Sequence, residues 1–129
     1  MAGRVFENEY YRIEIKNNIM FAFYKQEITI TLPFAKKMVE DRLTFQHQEN
    51  YTSIPIVHYF KAKYVDKAAR KYFSEEGIVG LSAAAFIVKT LATKTLVNIF
   101  LLIEKPKLPI RAFEDEAAAT AWIKDIVKE

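Results

Sequence analysis

The chain has 129 residues, of which 51% are hydrophobic and 14% aromatic, and its net charge is +3. This length suits a single domain over residues 1–129 that buries its own core, and the composition excludes an intrinsically disordered chain. Cysteine is absent, which excludes a disulfide framework, a thiolate nucleophile and a cysteine-bound zinc site. The small positive charge favours solubility more than it predicts nucleic-acid binding.

The N-terminal third predicts an antiparallel hairpin. The first residues lack the continuous apolar stretch of a secretory signal, so we expect a cytoplasmic protein. Apolar and charged side chains alternate from Tyr10 to Ile15, as in a half-buried strand. The apolar run from Ile19 to Tyr24 predicts a second strand, and the turn residues Lys16 to Asn18 predict a tight connection.

Periodicity and capping residues predict the next elements. A helix is expected over Leu32 to Phe45, with Pro33 in its first turn. A polar loop should follow from Gln46 to Tyr51, and then a buried strand from Ser53 to Phe60. Asp66 is expected to cap a second helix, whose apolar side comprises Val65, Ala68, Ala69, Tyr72 and Phe73.

The most apolar part of the chain follows Gly80. Leu81 to Val88 predicts a buried strand, and Thr90 to Ile103 predicts a helix with one apolar side: Ala92, Leu96, Ile99, Phe100 and Ile103. Lys89 and Lys94 interrupt this stretch, so we expect no membrane span. A short strand from Leu108 to Phe113 and an acidic helix start at Glu114 complete the chain. The buried side of that helix is predicted to be Ala118, Ala119, Trp122, Ile123, Ile126 and Val127.

The predicted order is ββαβαβαβα. After the initial hairpin, strands alternate with helices, and parallel strands need a crossover of a dozen or more residues. This order predicts an α/β fold with a mostly parallel sheet covered by helices.

Five stretches resemble small bacterial STAS/SEC14-like proteins with the SpoIIAA-like (STAS) fold. The two most specific are the run NIFLLIEKPKLPIRAF and the closing EDEAAATAWI, and the others are ITLPFAKKMVEDRL, KAARKYFSEEG and AAAFIVKT. The resemblance implies one STAS/SEC14-like domain that acts as a non-enzymatic regulatory or protein-protein interaction module. Its protein partner is not identified by the sequence, and a second copy of the chain, in a homodimer, could be that partner.

One departure from that family concerns phosphorylation. In the anti-sigma-factor antagonists, a phosphorylatable serine stands at the start of the helix after the third strand. The matching stretch, His58 to Arg70, contains no serine or threonine, so no phosphoserine switch is evident. Asp66 could instead place a permanent negative charge at the helix start.

The same stretch is the predicted partner-binding site. This stretch together with Lys71 contains five lysine and arginine residues and a single acidic residue, Asp66, so it could bind an acidic protein surface or phosphate. The alternative is a helix face that is only solvated. His58 is expected near the carboxyl end of a central strand, where α/β sheets tend to bind ligands. The predicted contact residues are His58, Tyr59, Lys61, Lys63, Tyr64, Asp66, Lys67 and Arg70.

No catalytic motif surrounds His58, and the only other histidine, His47, falls in the predicted loop, so we expect no enzyme activity, no metal and no cofactor. No nucleic-acid-binding signature accompanies the lysines.

The alternative function is that of a SEC14-like protein binding a small lipophilic ligand, since aromatic residues are abundant, although a filled core uses the same residues. The predicted pocket residues are Phe86, Asn98, Phe100 and Leu101, with Phe21 and Phe23 as further candidates.

Overall fold

Eight strands and four helices make up residues 4–127, the part of the chain that a computed structural model describes. The strands are β1 (Val5–Glu7), β2 (Tyr11–Lys16), β3 (Ile19–Tyr24), β4 (Ile28–Ile30), β5 (Ile54–Tyr59), β6 (Ala62–Val65), β7 (Leu81–Ile87) and β8 (Ile110–Phe113). The helices are α1 (Leu32–Gln48), α2 (Lys67–Glu75), α3 (Leu91–Ile99) and α4 (Glu116–Val127). A 3₁₀ turn at Glu76–Ile78 follows α2, and a π-helical turn at Phe100–Glu104 extends α3.

Six strands form one mixed sheet in the order β1-β2-β3-β5-β7-β8. The first three strands are antiparallel, whereas β3, β5, β7 and β8 run parallel to one another. Helices α1, α2 and α3 lie in the connections between successive parallel strands, as such crossovers require. The predicted α/β class, with its N-terminal hairpin formed by β2 and β3, is confirmed.

Three short strands were not predicted from the sequence. β1 pairs with β2, and β4 pairs in parallel with β6 in a separate two-stranded sheet. Each has only three or four residues, which is too short for a periodic signal. As a consequence, Val65 ends β6 and does not belong to the apolar side of α2.

The predicted loop from Gln46 to Tyr51 is wrong at its start, because α1 continues to Gln48. Gln46 is completely buried, and its side chain accepts a hydrogen bond from Arg42 (3.0 Å) and donates one to the carbonyl of Gly80 (2.9 Å). A polar residue that looked like a loop residue therefore anchors the end of α1. His47, by contrast, is exposed as expected.

The helices are divided between the two faces of the sheet. Helix α4 covers one face, where Ala119 and Ile123 pack on Val57, Ala85 and Ile87. Helices α1 and α2 pack on the other face, which contains the larger core cluster. Because side chains alternate along a strand, neighbouring residues of β5 and β7 belong to different layers.

The predicted buried sides of the last two helices are partly wrong. Ala92 and Ile103 are exposed, while Thr93 and Val97 are buried. The change to π-helical pitch after Ile99 shifts the residues beyond it away from α-helical spacing. In α4 the buried stripe is narrower than predicted, since Ala118, Ile126 and Val127 are exposed.

No helix within residues 4–127 is long and apolar enough to cross a membrane.

Candidate ligand cavity

A cavity of about 90 Å³ lies between the sheet and the α2–α3 side of the domain, and it is partly open to solvent. Its floor consists of inward-facing residues of three parallel strands: Ile56 and His58 of β5, Ala84 and Phe86 of β7, and Ile110 of β8. Within β5 and within β7 the two lining residues are two positions apart, because side chains alternate between the two faces of a strand. Its walls include Arg70 and Phe73 of α2, Val97 of α3 and Phe100 of the π turn.

Aromatic rings form one end of this cavity. The ring of His58 stacks on Phe86, with centroids 5.2 Å apart, and Phe60 meets Phe86 edge-on at 5.6 Å. Tyr24 approaches His58 edge-on at 5.8 Å. Such contacts hold the rings in place, so this end of the cavity has a defined shape.

His58 is the polar residue of the cavity floor. It is paired in register with Phe86, near the carboxyl ends of β5 and β7. Its Nδ1 atom is buried and has no hydrogen-bond partner among residues 4–127. Burial, together with the positive charge of Arg42, lowers the pKa of His58 to about 4, so the imidazole is neutral at neutral pH.

A second cavity of about 60 Å³ adjoins the first and shares His58, Ile56 and Phe73 with it. Arg42 lines this second cavity and is only 5% exposed. Its guanidinium donates to the side-chain oxygen of Gln46 (3.0 Å) and to the carbonyl of Gly77 (2.9 Å). Burial lowers the pKa of Arg42 to about 10, which still leaves the group charged at neutral pH. No carboxylate of the described chain forms a salt bridge with it.

Arg70 is the arginine that lines the main cavity. Its Nε atom is buried and has no hydrogen-bond partner in the described chain. The carboxylate of Glu104 lies 3.6 Å from that atom, close enough for an ion pair but too far for a hydrogen bond. Glu104 ends the π turn that Phe100 begins, so the same turn supplies a cavity wall and the ion-pair partner of Arg70.

The structure separates the predicted partner-binding residues into four groups. His58 and Arg70 line the cavity, and Tyr59 lies on the opposite face of the sheet, stacked on Phe23 at 4.6 Å. Asp66 caps α2 as predicted, accepting a hydrogen bond from the backbone N–H of Ala69 (2.8 Å). The remaining four residues are exposed: Lys61, Lys63, Tyr64 and Lys67.

The predicted pocket residues also divide. Phe86 and Phe100 line the cavity, but Asn98 is exposed and Leu101 is not among the lining residues. Phe21 is buried in the core under α4, where Phe23 also packs, and so lies on the opposite face of the sheet. The alternation of side chains along each strand explains this separation.

Arg42 is the functional candidate that the sequence prediction missed. The buried positions of α1 include Ala35, Met38, Val39, Arg42 and Phe45, so a charged residue interrupts an apolar stripe at helical spacing. That interruption was a readable signal, because an arginine in such a stripe is rarely buried without a reason. Within residues 4–127, no group of three or more His, Asp or Glu side chains is arranged to hold a metal ion.

Residues 13–127 match the model of a family described as a domain of unknown function, DUF7793. Searches of curated proteins and of solved structures gave no match to this chain. The family match extends from the third residue of β2, Ile13, to the end of α4, and therefore contains every residue that lines the main cavity. Because the match covers most of its length, the chain belongs to the DUF7793 family.

Proposed function

We propose that this domain is a non-enzymatic binding module that takes a small, mainly apolar molecule into the cavity beside His58. The observation that carries the proposal is an apolar, aromatic-lined cavity whose lining residues Arg70 and His58 each have a buried nitrogen atom without a hydrogen-bond partner in the described chain. Ligand sites in proteins combine these features, and in α/β sheets they lie near the carboxyl ends of parallel strands.

The cavity sets an upper limit on the size of the ligand part that it encloses. Its volume of about 90 Å³ is well below the roughly 300–1,000 Å³ of sites that enclose drug-sized molecules. The cavity is open on one side, so only part of a ligand needs to fit inside. A short aliphatic chain or a single ring meets this limit.

A titration with 1-hexanol, followed by ¹H–¹⁵N NMR spectra, tests the proposal. We expect saturable shift changes at cavity residues such as Phe60, Phe86 and Val97. Ala84→Leu should abolish them, because Ala84 is 4% exposed and lines the cavity, so a larger side chain there fills it. Ala121→Leu, at an exposed position of α4, is the matched control. The proposal fails if hexanol leaves the cavity residues unperturbed or binds equally well to Ala84→Leu.

The SpoIIAA-like (STAS) fold and the regulatory role that it implies are part of the same proposal. They are supported by the sequence resemblance, which is strongest from Asn98 to Ile123. The observed mixed sheet, with its N-terminal hairpin and with parallel strands that alternate with helices along the chain, is compatible with this fold. Under this proposal, ligand occupancy alters a surface that a regulatory partner recognises.

A second candidate function, contact with an acidic protein surface, rests on the exposed basic residues beside the cavity. Lys61, Lys63 and Lys67 are exposed, and Tyr64 is 55% exposed next to them. The same segment contributes Val65 and Arg70 to the cavity wall, so a partner bound here could sense the ligand.

Affinity capture with the wild-type domain and with Lys63→Glu/Lys67→Glu tests this surface. We expect the double variant to lose a partner that the wild type and a control variant, Lys36→Glu/Lys124→Glu, both retain. Lys36 and Lys124 are also exposed, on α1 and α4. Equal capture by all three proteins would remove this surface as the contact site, and light scattering on the same proteins tests a homodimer.

A further inference from the structure

We infer that the ligand of the main cavity is an apolar monocarboxylate whose carboxylate is held by Arg70 and His58. This inference rests on the proposed ligand-binding function and adds the charge and the chemical class of the ligand. Two independent features support it: an excess of buried positive charge, and two residues of one cavity that each have a buried nitrogen atom without a hydrogen-bond partner in the described chain.

The first feature is the balance of charge around the two cavities. Arg42 and Arg70 line them, and the only carboxylate in a salt bridge with either within the described chain is that of Glu104. Asp41, next to Arg42 in sequence, forms its own ion pair with Lys37 at 2.8 Å and accepts a hydrogen bond from Tyr11. A buried charge without a counter-charge is unfavourable, so an anion in the main cavity is stabilised by the charge of Arg42, which lines the adjoining cavity and has no carboxylate partner in the described chain.

The second feature is the pair of unsatisfied polar atoms. Nε of Arg70 and Nδ1 of His58 are both buried and lack hydrogen-bond partners in the described chain. Both residues line the main cavity, whose other lining residues are almost all apolar. A carboxylate has two oxygens that accept hydrogen bonds: one from Nε–H of Arg70, which is charge-assisted, and one from Nδ1–H of His58 in the neutral tautomer that carries its proton on Nδ1. A hydroxyl group offers neither the charge nor the second acceptor atom.

Glu104 is the natural competitor for this position. Its carboxylate approaches Nε of Arg70 only to 3.6 Å, so a ligand carboxylate can accept the Nε–H without breaking an existing hydrogen bond. The repulsion between the two carboxylates nevertheless weakens binding. Removing the charge of Glu104 should therefore increase the affinity for an anion, whereas a purely structural ion pair predicts no such gain.

Hexanoate and 1-hexanol form a matched pair of probes, because they share a chain length and differ in the charged end. At neutral pH we expect wild-type protein to bind hexanoate about tenfold more tightly than 1-hexanol, the effect of one hydrogen bond to a charged group. Arg70→Gln should remove most of this preference. Lys71→Gln, which removes an exposed charge from the same helix, should preserve the preference. Glu104→Gln should bind hexanoate severalfold more tightly than wild type.

The outcomes separate this inference from the function on which it rests. If 1-hexanol binds in the cavity and hexanoate binds no more tightly, or if the preference survives in Arg70→Gln, the inference is overturned and the binding function stands. If neither probe binds, both the inference and the proposed binding function are refuted. Should Arg70→Gln fail to fold, Glu104→Gln decides, since an unchanged hexanoate affinity overturns the inference. Shift changes confined to Lys61 and Lys63 would also overturn it, by placing the anion on the surface.

Discussion

Acidification should destabilise this domain through His58. In the folded chain, burial and then the charge of Arg42 lower the pKa of His58 from 6.5 to about 4. Between these two values the unfolded chain binds more protons than the folded chain, so stability is present above pH 6.5 and is lost as the pH falls toward 4. The neighbours of the ring favour this direction, because Arg42 on α1 is a cation and Tyr24 on β3, which meets the ring edge-on, is neutral.

The size of the effect follows from that interval. Lowering the pKa of His58 from 6.5 to about 4 can change the free energy of unfolding by at most about 3 kcal/mol, since one pKa unit corresponds to about 1.4 kcal/mol. His58 as a residue is partly exposed, although its Nδ1 atom is buried, and this exposure reduces the effect. We therefore expect the free energy of unfolding to fall by about 1–2 kcal/mol between about pH 7 and about pH 5.

Urea denaturation measures this change, with the fluorescence of the single tryptophan, Trp122, as the signal. Trp122 packs on Phe113 and should report the loss of α4. His58→Leu should flatten the pH dependence over this range, whereas His47→Gln, at an exposed position, should retain the wild-type slope. The reasoning is refuted if His58→Leu and wild type lose stability in parallel.

Three further variants test the fold in the same urea assay. Asp66→Ala should lower the free energy of unfolding by about 1 kcal/mol, because the cap of α2 is lost, and Asp66→Asn should restore most of it. Gly80→Ala should cost about 1–3 kcal/mol, since Gly80 has φ of +81° and a Cβ there would lie 2.8 Å from Nε2 of Gln46. Ile123→Ala should cost about 2–5 kcal/mol, whereas Ile126→Ala, 37% exposed on the same helix, should cost less than about 1 kcal/mol.

Each contrary result would contradict one of these arguments. If Asp66→Ala has the free energy of unfolding of the wild type, α2 does not depend on its cap. If Gly80→Ala has the free energy of unfolding of the wild type, the C-terminal end of α1 can shift to make room for the new Cβ. Equal losses for Ile123→Ala and Ile126→Ala would contradict the position of α4 on the sheet.

The sequence predicted those elements that have a clear local pattern. Strand β3 begins and ends where its apolar run does, and Asp66 marks the start of α2, because capping is a property of the residues at the helix end. The strand β7 was also predicted despite its alanines. Signals of this kind depend on neighbours along the chain, so a single sequence contains them.

The cavity depends on distant residues, and the sequence predicted only parts of it. His58 and Phe86 were both selected, but their contact results from the register of β5 against β7, which no local pattern specifies. Asn98 was predicted to line the pocket, yet it is exposed, because another side of α3 faces the cavity. The role of Gln46 likewise depends on the distant carbonyl of Gly80.

The most direct test of the proposed cavity is an isotope-filtered NOE measurement on the protein with hexanoate. We predict contacts from the terminal methyl of hexanoate to Ile56, Ala84 and Ile110, which form the cavity floor. The methylene next to the carboxylate should contact the side chain of Arg70. Contacts only to exposed side chains such as Tyr64, or the same contacts in Ala84→Leu, would contradict the proposal that this cavity is the binding site.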